Sequence, residues 1–111
     1  MKLRPQSKAG GYRHRITIQQ KTDGVDAWGG PIVIWSDHVT IWAEVVYMSG
    51  QEFWAARQAN SEVQGKVRIR YRDDIIPTMR VVWGSKTLEI LSVVPFDSRK
   101  TELHLLFKEV L

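Results

Sequence analysis

Hydrophobic and polar positions alternate along much of the chain with the two-residue period of β-strands. The alternation is unbroken in residues 66–72, where Val67, Ile69 and Tyr71 point to one face and basic residues to the other. Short turn segments containing Gly, Pro, Asp or Ser separate the alternating runs. The predicted strands cover residues 14–20, 39–48, 66–72, 79–83, 86–94 and 102–110.

A helical pattern interrupts the strands after Met48. Ser49 and Glu52 have the spacing of a helix capping box, and Met48 and Phe53 occupy the positions of a hydrophobic staple. The residues that follow are good helix formers. One short helix is therefore predicted over residues 50–59.

The segment between the first two predicted strands, residues 21–35, is predicted to be a long loop. Residues 22–24 end the first strand, and turn residues dominate the stretch through Pro31. Residues 32–35 are apolar and form either an added strand or the return limb of the loop. With no alternation of strands and helices, the chain is expected to be mainly β, a small antiparallel barrel or sandwich of about six strands.

The length of 111 residues fits one domain. Residues 1–12 are predicted to be a flexible basic arm, and residues 13–111 the single β domain. Net charge is +4, and residues 1–20 carry five basic groups and no acid. Such an arm either binds nucleic acid or an acidic protein surface, or is a solvated tail.

Four basic side chains share one face of the third predicted strand, and they are called the basic stripe. They contact phosphates, dock on acidic neighbours in an assembly, or form a solvated face that discourages edge-to-edge aggregation. No aromatic residue alternates with them, which argues against a base-stacking platform. The stripe consists of Lys66, Arg68, Arg70 and Arg72.

Five tryptophans are a high load for this length. Trp42 and Trp83 fall in predicted strands and are expected in or beside the core. Those in the predicted loop and helix either pack locally or are buried against a partner. The candidate interface residues are Trp28, Phe53, Trp54 and Arg57.

The sequence carries no signature of catalysis. It has no cysteine, which excludes disulfides, thiol catalysis and Cys-ligated zinc. His14, His38 and His104 lie in no nucleophile motif, and there is no glycine-rich phosphate loop. No apolar run approaches the roughly 18–20 residues that span a bilayer. We expect no enzyme activity, catalytic residue, metal, cofactor or membrane partner.

The order of these segments resembles the phage head–tail joining proteins, also called head-closure or head–tail adaptor proteins. The resemblance runs from about residue 12 to the end. Its most specific parts are W-A-E at residues 42–44, S-G-Q-E at 49–52 and R-I-R-Y-R at 68–72. The family often has a cysteine in its last strand, and this chain has none.

The resemblance implies a small β-barrel that forms a homo-oligomeric ring, with a monomer as one possible free state. Its expected partners are portal and adaptor ring proteins, tail proteins, and packaged double-stranded DNA that passes through non-specifically. The ring would retain the genome and present the tail attachment surface. The expected location is the head–tail interface of the virion, after synthesis in the host cytoplasm.

In this family a long loop can rearrange on assembly and narrow the channel. Residues 21–35 and 48–64 are the two candidates, and we favour 48–64 because it joins two well-defined predicted strands and contains Trp54. Two other functions are compatible with the pattern. One is a small nucleic-acid-binding β-barrel, and the other is a tail-terminator-type ring subunit.

Overall fold

Antiparallel strands dominate the computed structural model, which describes residues 11–110. Helix α1 (Gly50–Ala59) follows the second strand. The strands are β1 (His14–Val25), β2 (Pro31–Tyr47), β3 (Gly65–Arg70), β4 (Arg80–Trp83), β5 (Lys86–Pro95) and β6 (Glu102–Val110). The prediction of a mainly β fold is confirmed.

The six strands form a closed barrel in the order β1-β2-β3-β6-β5-β4. Closure occurs because β1 pairs with β2 on one side and, through residues 17–19, with β4 on the other. A closed sheet has no open edge within the barrel, so its backbone hydrogen bonds are used internally.

The interior of the barrel is filled by the inward-facing apolar residues that the alternation predicted. Val67 and Ile69 of β3 are fully buried, as are Leu105 and Phe107 of β6. Strand β3 passes so close to its neighbours that a Cβ atom at Gly65 would meet the Val46 carbonyl and the Phe107 ring. The core is therefore tightly packed around Phe107, and it leaves little room for a larger side chain at residue 65.

The prediction of a loop at residues 21–35 is wrong except at residues 26–30, which form a turn. Residues 32–35 lie in a strand, which was one of the two predicted alternatives. Strands β1 and β2 continue past the barrel as a paired ladder that runs without a gap to the Val25–Pro31 pair. Residues 22–24 resemble a turn in sequence, but they pair with the apolar residues 32–34, which act as the return limb. Residues 20–36 are called the hairpin arm below.

A register shift between Ile18 and Gln19 marks the point where the arm leaves the barrel. Ile18 pairs with Val39 and Gln19 with Asp37, which leaves His38 as an extra residue in β2. Such β-bulges bend a strand and increase its twist. The His38 Nε2 atom lies 2.8 Å from Asp74 Oδ2, so the bulge is attached to the loop that follows β3.

Helix α1 has the predicted bounds, but the predicted capping box does not form. The Ser49 side chain makes no capping hydrogen bond. The Glu52 Oε2 atom accepts a hydrogen bond of 2.8 Å from Lys66 Nζ. The pairing with β3 replaces the reciprocal hydrogen bonds of a capping box.

The predicted basic arm lies outside the described residues except for Gly11 and Tyr12. Tyr12 is 7% exposed and its hydroxyl donates a 2.5 Å hydrogen bond to Glu102 at the start of β6. Tyr12 is therefore part of the barrel domain, and a flexible arm over residues 1–10 stays a prediction.

Candidate functional site

The hairpin arm exposes several apolar side chains at one end of the molecule. The molecule measures 64 × 29 × 28 Å, so it is much longer than it is wide. Val25, Ile32, Val33 and Ile34 of the arm are all exposed, at positions on both faces of the two-stranded ladder. A free two-stranded hairpin buries little apolar surface of its own. Exposed apolar side chains on both faces of the arm are therefore typical of a surface that binds a partner.

The tip of the arm is a well-ordered turn that presents Trp28. The Oδ1 atom of Asp26 accepts hydrogen bonds from the backbone N–H groups of Trp28, at 2.9 Å, and Gly30, at 2.7 Å. The Asp26 N–H donates to the Gly30 carbonyl, and Gly29 has a φ of 81° that favours glycine. Trp28 is 93% exposed on this turn. The hydrogen-bonded backbone of the turn therefore presents the Trp28 indole to solvent.

The candidate residues on helix α1 divide into locally packed and exposed side chains. The Arg57 guanidinium lies 5.0 Å from the Phe53 ring centroid and donates a 3.4 Å hydrogen bond to the Val63 carbonyl. The Phe53 and Trp54 rings meet edge to face at 5.3 Å. Trp54 nevertheless remains 67% exposed. Trp54 is therefore the member of this group with the most surface available for contact.

The basic stripe is not the free row of positive charge that the sequence suggested. Lys66 pairs with Glu52, and the Arg72 guanidinium donates hydrogen bonds of 3.0 and 2.9 Å to both oxygens of Asp74. Arg72 also lies past the end of β3, which stops at Arg70. Only Arg70 of the stripe has no ion pair among residues 11–110, and its guanidinium faces the Tyr12 ring at 5.5 Å.

Arg68 is the centre of a partly buried network of charged groups. Its guanidinium contacts Glu44 of β2 and donates hydrogen bonds of 3.3 and 2.9 Å to Glu102. Glu102 is only 1% exposed, and it also lies 3.0 Å from His104 Nε2 and accepts the Tyr12 hydrogen bond. Each buried charge thus has hydrogen-bond partners, which is the condition for tolerating it inside a protein.

The network shifts the pKa of three of its members. Burial raises the pKa of Glu102, but hydrogen bonds from Tyr12, Arg68 and His104 outweigh it and lower the value to about 2. Burial and the bond to Glu102 raise the pKa of Tyr12 well above its usual range. Burial lowers the pKa of His104 despite the neighbouring carboxylate. At neutral pH these groups form a fixed structural joint rather than a proton-transfer site.

A concave site of about 450 Å³ lies beside this joint, at the opposite end of the β1–β2 ladder from the arm tip. It is called the arginine pocket, and its lining includes Tyr12, Arg15, Trp42, Arg70, Tyr71 and Arg72. The Arg15 guanidinium lies 5.1 Å from the centroid of the Trp42 ring, which is itself 52% exposed. Cations and an exposed aromatic ring are therefore available in the same cleft.

The described part of the chain offers no other recognisable chemistry. Residues 11–110 contain no cluster of three or more side chains suited to hold a metal ion. No helix within this range is long and apolar enough to cross a bilayer.

The sequence prediction missed the burial of Glu102, the arginine pocket and the hairpin arm. Glu102 was assigned only as the start of a strand, and nothing in the neighbouring residues marks it as buried. The arginine pocket combines residues from β1, β2 and the end of β3, so its members are distant in sequence. The run of apolar residues 32–34 was the available signal for the arm, but it does not distinguish a buried strand from an exposed one.

The sequence and fold match known proteins over almost the whole chain. A solution structure of a protein from Shigella flexneri 2a is 31% identical, with a TM-score of 0.73 over 93% of this chain and 96% of that one. A chain of the virion of a native gene transfer agent particle shares the fold, with 18% identity and a TM-score of 0.62 over 88% and 94% of the two chains. No curated protein matches the sequence.

The model of the phage head completion protein family matches residues 7–110. That range includes the whole barrel, the hairpin arm and helix α1. The resemblance found in the sequence and the prediction that the chain is not an enzyme are both confirmed. The chain belongs to the phage head completion proteins, structural proteins of the virion that associate with other virion proteins in the head–tail region.

Proposed function

We propose that this protein forms a closed ring at the junction of head and tail, where it continues the DNA channel. In this role the ring retains the packaged genome and provides the surface to which the tail attaches. The family match gives the head–tail region of the virion as the setting. The neighbours of the ring are the portal or adaptor proteins on the head side and tail proteins on the other.

The observation that carries this proposal is the hairpin arm. Isolated apolar residues are normal on protein surfaces, but a projecting ladder with apolar side chains on both faces is not. Trp28 at its tip is 93% exposed. A subunit that is destined to be surrounded by other proteins in a particle has a use for such an arm, whereas a free monomeric protein does not.

The pairing of three members of the basic stripe favours this role over the alternative of a nucleic-acid-binding barrel that uses the stripe. Non-specific binding to DNA depends on cations that are free to displace counterions from phosphates. In the basic stripe, Lys66, Arg68 and Arg72 are instead paired with carboxylates. A channel through which DNA must slide needs weak, non-specific contact, and a neutralised strand face is compatible with that.

Residues 48–64 remain our proposal for the segment that faces the channel and rearranges on assembly. Helix α1 lies on the outside of the barrel, held by the Lys66–Glu52 pair and the Arg57 contact with Val63. The Arg57 hydrogen bond is long, at 3.4 Å, and an ion pair whose carboxylate is 55% exposed contributes little stability. The helix can therefore move at small energetic cost, and Trp54 would move with it.

Native mass spectrometry of the full chain, alone and mixed with its cognate portal–adaptor complex, tests the ring. We expect a small species alone and a closed ring of defined copy number on the complex. In parallel, titration of the free protein with duplex DNA at several salt concentrations should give weak binding or none.

Two results would contradict the proposal. One is failure to join the complex combined with tight, steeply salt-dependent binding to free DNA, which would support the nucleic-acid-binding alternative. The other is attachment to the end of an isolated tail but not to the portal–adaptor complex, which would identify a tail-terminator-type subunit.

A further inference from the structure

We infer that the tip of the hairpin arm docks in the arginine pocket of a neighbouring copy of this chain, with Trp28 as its anchor. The inference rests on the proposed ring, for which it supplies the contact between adjacent subunits. Two features described above carry it: an acidic, aromatic tip and a basic, aromatic cleft on the same molecule.

The charges of the two surfaces are complementary. Between residues 22 and 31 the arm carries Asp23 and Asp26 and no basic residue. The pocket lining contains three arginines and no acidic residue. Within the described residues Arg15 and Arg70 form no ion pair, and each guanidinium lies over an aromatic ring instead. Two cations are thus available for the carboxylates of an incoming tip.

The shapes and the apolar surfaces also agree. A volume of about 450 Å³ lies within the range of sites that enclose a ligand group and is ample for an indole. Trp42 and Tyr71 provide ring surface there, and the arginines offer cation–π contact to Trp28. Because the Asp26 turn already fixes the tip, docking would order few additional bonds.

The tip cannot occupy the pocket of its own subunit. The arm and the pocket lie on one continuous ladder, in which Pro31 near the tip and Ile41 beside the pocket are ten residues apart along β2. At about 3.3 Å per residue this separation is roughly 30 Å. A tip that docks in this pocket must therefore belong to a second copy of the chain, and the tip of an identical subunit has the required chemistry.

A contact of this kind joins two different surfaces of the same chain. Such heterologous contacts generate rings when the rotation between subunits closes, and open filaments when it does not. The arm–pocket contact is therefore of the type that a ring requires, in contrast to a symmetric dimer contact.

Disulfide trapping tests the contact directly, because the natural chain has no cysteine. Ala27→Cys places a thiol beside Trp28, and Thr40→Cys places one at the edge of the pocket; both positions are exposed. The two full-length variants are mixed on the portal–adaptor complex and, separately, at high concentration without it. We expect the mixed disulfide to exceed the product of either variant alone.

Three controls make the test specific. Thr78→Cys carries an exposed thiol in a different cleft, lined also by Lys21 and Arg80, and should not be trapped by the tip. Adding Trp28→Ser to the tip variant should lower the yield about tenfold or more, as expected for an anchor residue. Arg15→Glu in the pocket variant should also lower it, whereas Arg99→Glu, the same change at an exposed arginine elsewhere, should not.

The outcomes separate this inference from the proposed function. A ring that forms on the complex with no mixed disulfide, or with equal trapping at Thr78, would overturn the arm–pocket contact and leave the ring intact. If no ring forms, disulfide trapping in the concentrated free protein tests the arm–pocket contact by itself. Trapping that requires Trp28 and Arg15 would then support the contact outside a ring, and its absence would reject both.

Discussion

Strands β1 and β2 belong to both the barrel and the hairpin arm, but their surroundings differ in the two regions. Within the barrel, β1 and β2 have apolar side chains inside and a third and fourth strand at their outer edges. In the hairpin arm the same strands pair only with each other, and Val25, Ile32, Val33 and Ile34 are exposed. The barrel is stabilised by burial within one chain, whereas the arm can gain comparable burial only from another chain.

This difference separates the roles of the two regions. The closed, densely packed barrel is the rigid body of the subunit, and the arm projects from it. The polar joint around Glu102 adds to the rigidity of the base, since it ties the segment at Tyr12 to β3 and β6. Changes in the two regions should therefore have separable effects, with folding affected by the barrel and assembly by the arm.

The largest effect on folding is expected for Phe107→Ala. Phe107 is fully buried against Tyr47 and Gly65, and truncation would leave a cavity in the core. The expected loss is roughly 3–5 kcal/mol of unfolding free energy, measured by urea denaturation. A loss below about 1 kcal/mol would show that the barrel core is looser than its packing indicates.

A smaller but pH-dependent effect is expected for Glu102→Gln. Removing one partner of a buried ion pair costs about 3–5 kcal/mol, and we expect the low end because Arg68 keeps Glu44. The native pKa of Glu102 is about 2, below its ordinary 4.5. The carboxylate therefore stabilises the fold fully above pH 4.5, and this contribution disappears as the pH falls towards 2.

Urea denaturation of both proteins at several pH values measures this contribution. The difference in stability between natural protein and variant should be largest near neutral pH and should shrink between pH 4.5 and 2. A difference that stays constant across this window would mean that Glu102 acts through packing and not through its charge.

The smallest effect on folding is expected for Trp28→Ser. An indole that is 93% exposed contributes little to the folded state, so the unfolding free energy should change by less than about 0.5 kcal/mol. Trp35→Ser is the matched control at the base of the arm, where the Arg80 guanidinium lies 4.1 Å from the Trp35 ring centroid. That variant should lose more stability, by about 0.5–1 kcal/mol.

If Trp28→Ser lowered the unfolding free energy as much as Trp35→Ser, the contrast between the arm and the barrel would be contradicted. Thermal unfolding of the two variants, at matched concentration, is sufficient to measure the difference. Such an outcome would mean that the arm contributes to the stability of the subunit as well as to its contacts.

The strands of the barrel could be predicted because local alternation reports directly which face is buried. Val67, Ile69 and Leu105 lie inside as expected. The arm was mistaken for a loop because Asp23 and Gly24 have strong turn preferences, and only pairing with Val33 and Ile32 shows that they continue the strand. Tertiary pairing therefore overrode local propensity, as it commonly does in β-sheets.

The charged residues were harder to interpret than the apolar ones, for a related reason. Arg68 alternates with its neighbours as a solvent-facing residue should, but its partners Glu44 and Glu102 are 24 and 34 residues away. A strand pattern reveals which face a side chain occupies but not what covers that face. The placement of Arg68 on the outward face was therefore correct, whereas its predicted environment was incomplete.

The paired ladder of the arm also determines how its length can vary between related phages. Each additional residue on β1 needs a counterpart on β2, and only additions of two per strand keep every side chain on its original face. Each such step lengthens the arm by roughly 7 Å. Because the bulge at His38 separates the arm from the barrel, such a change alters the reach of the arm and leaves the core of the barrel untouched.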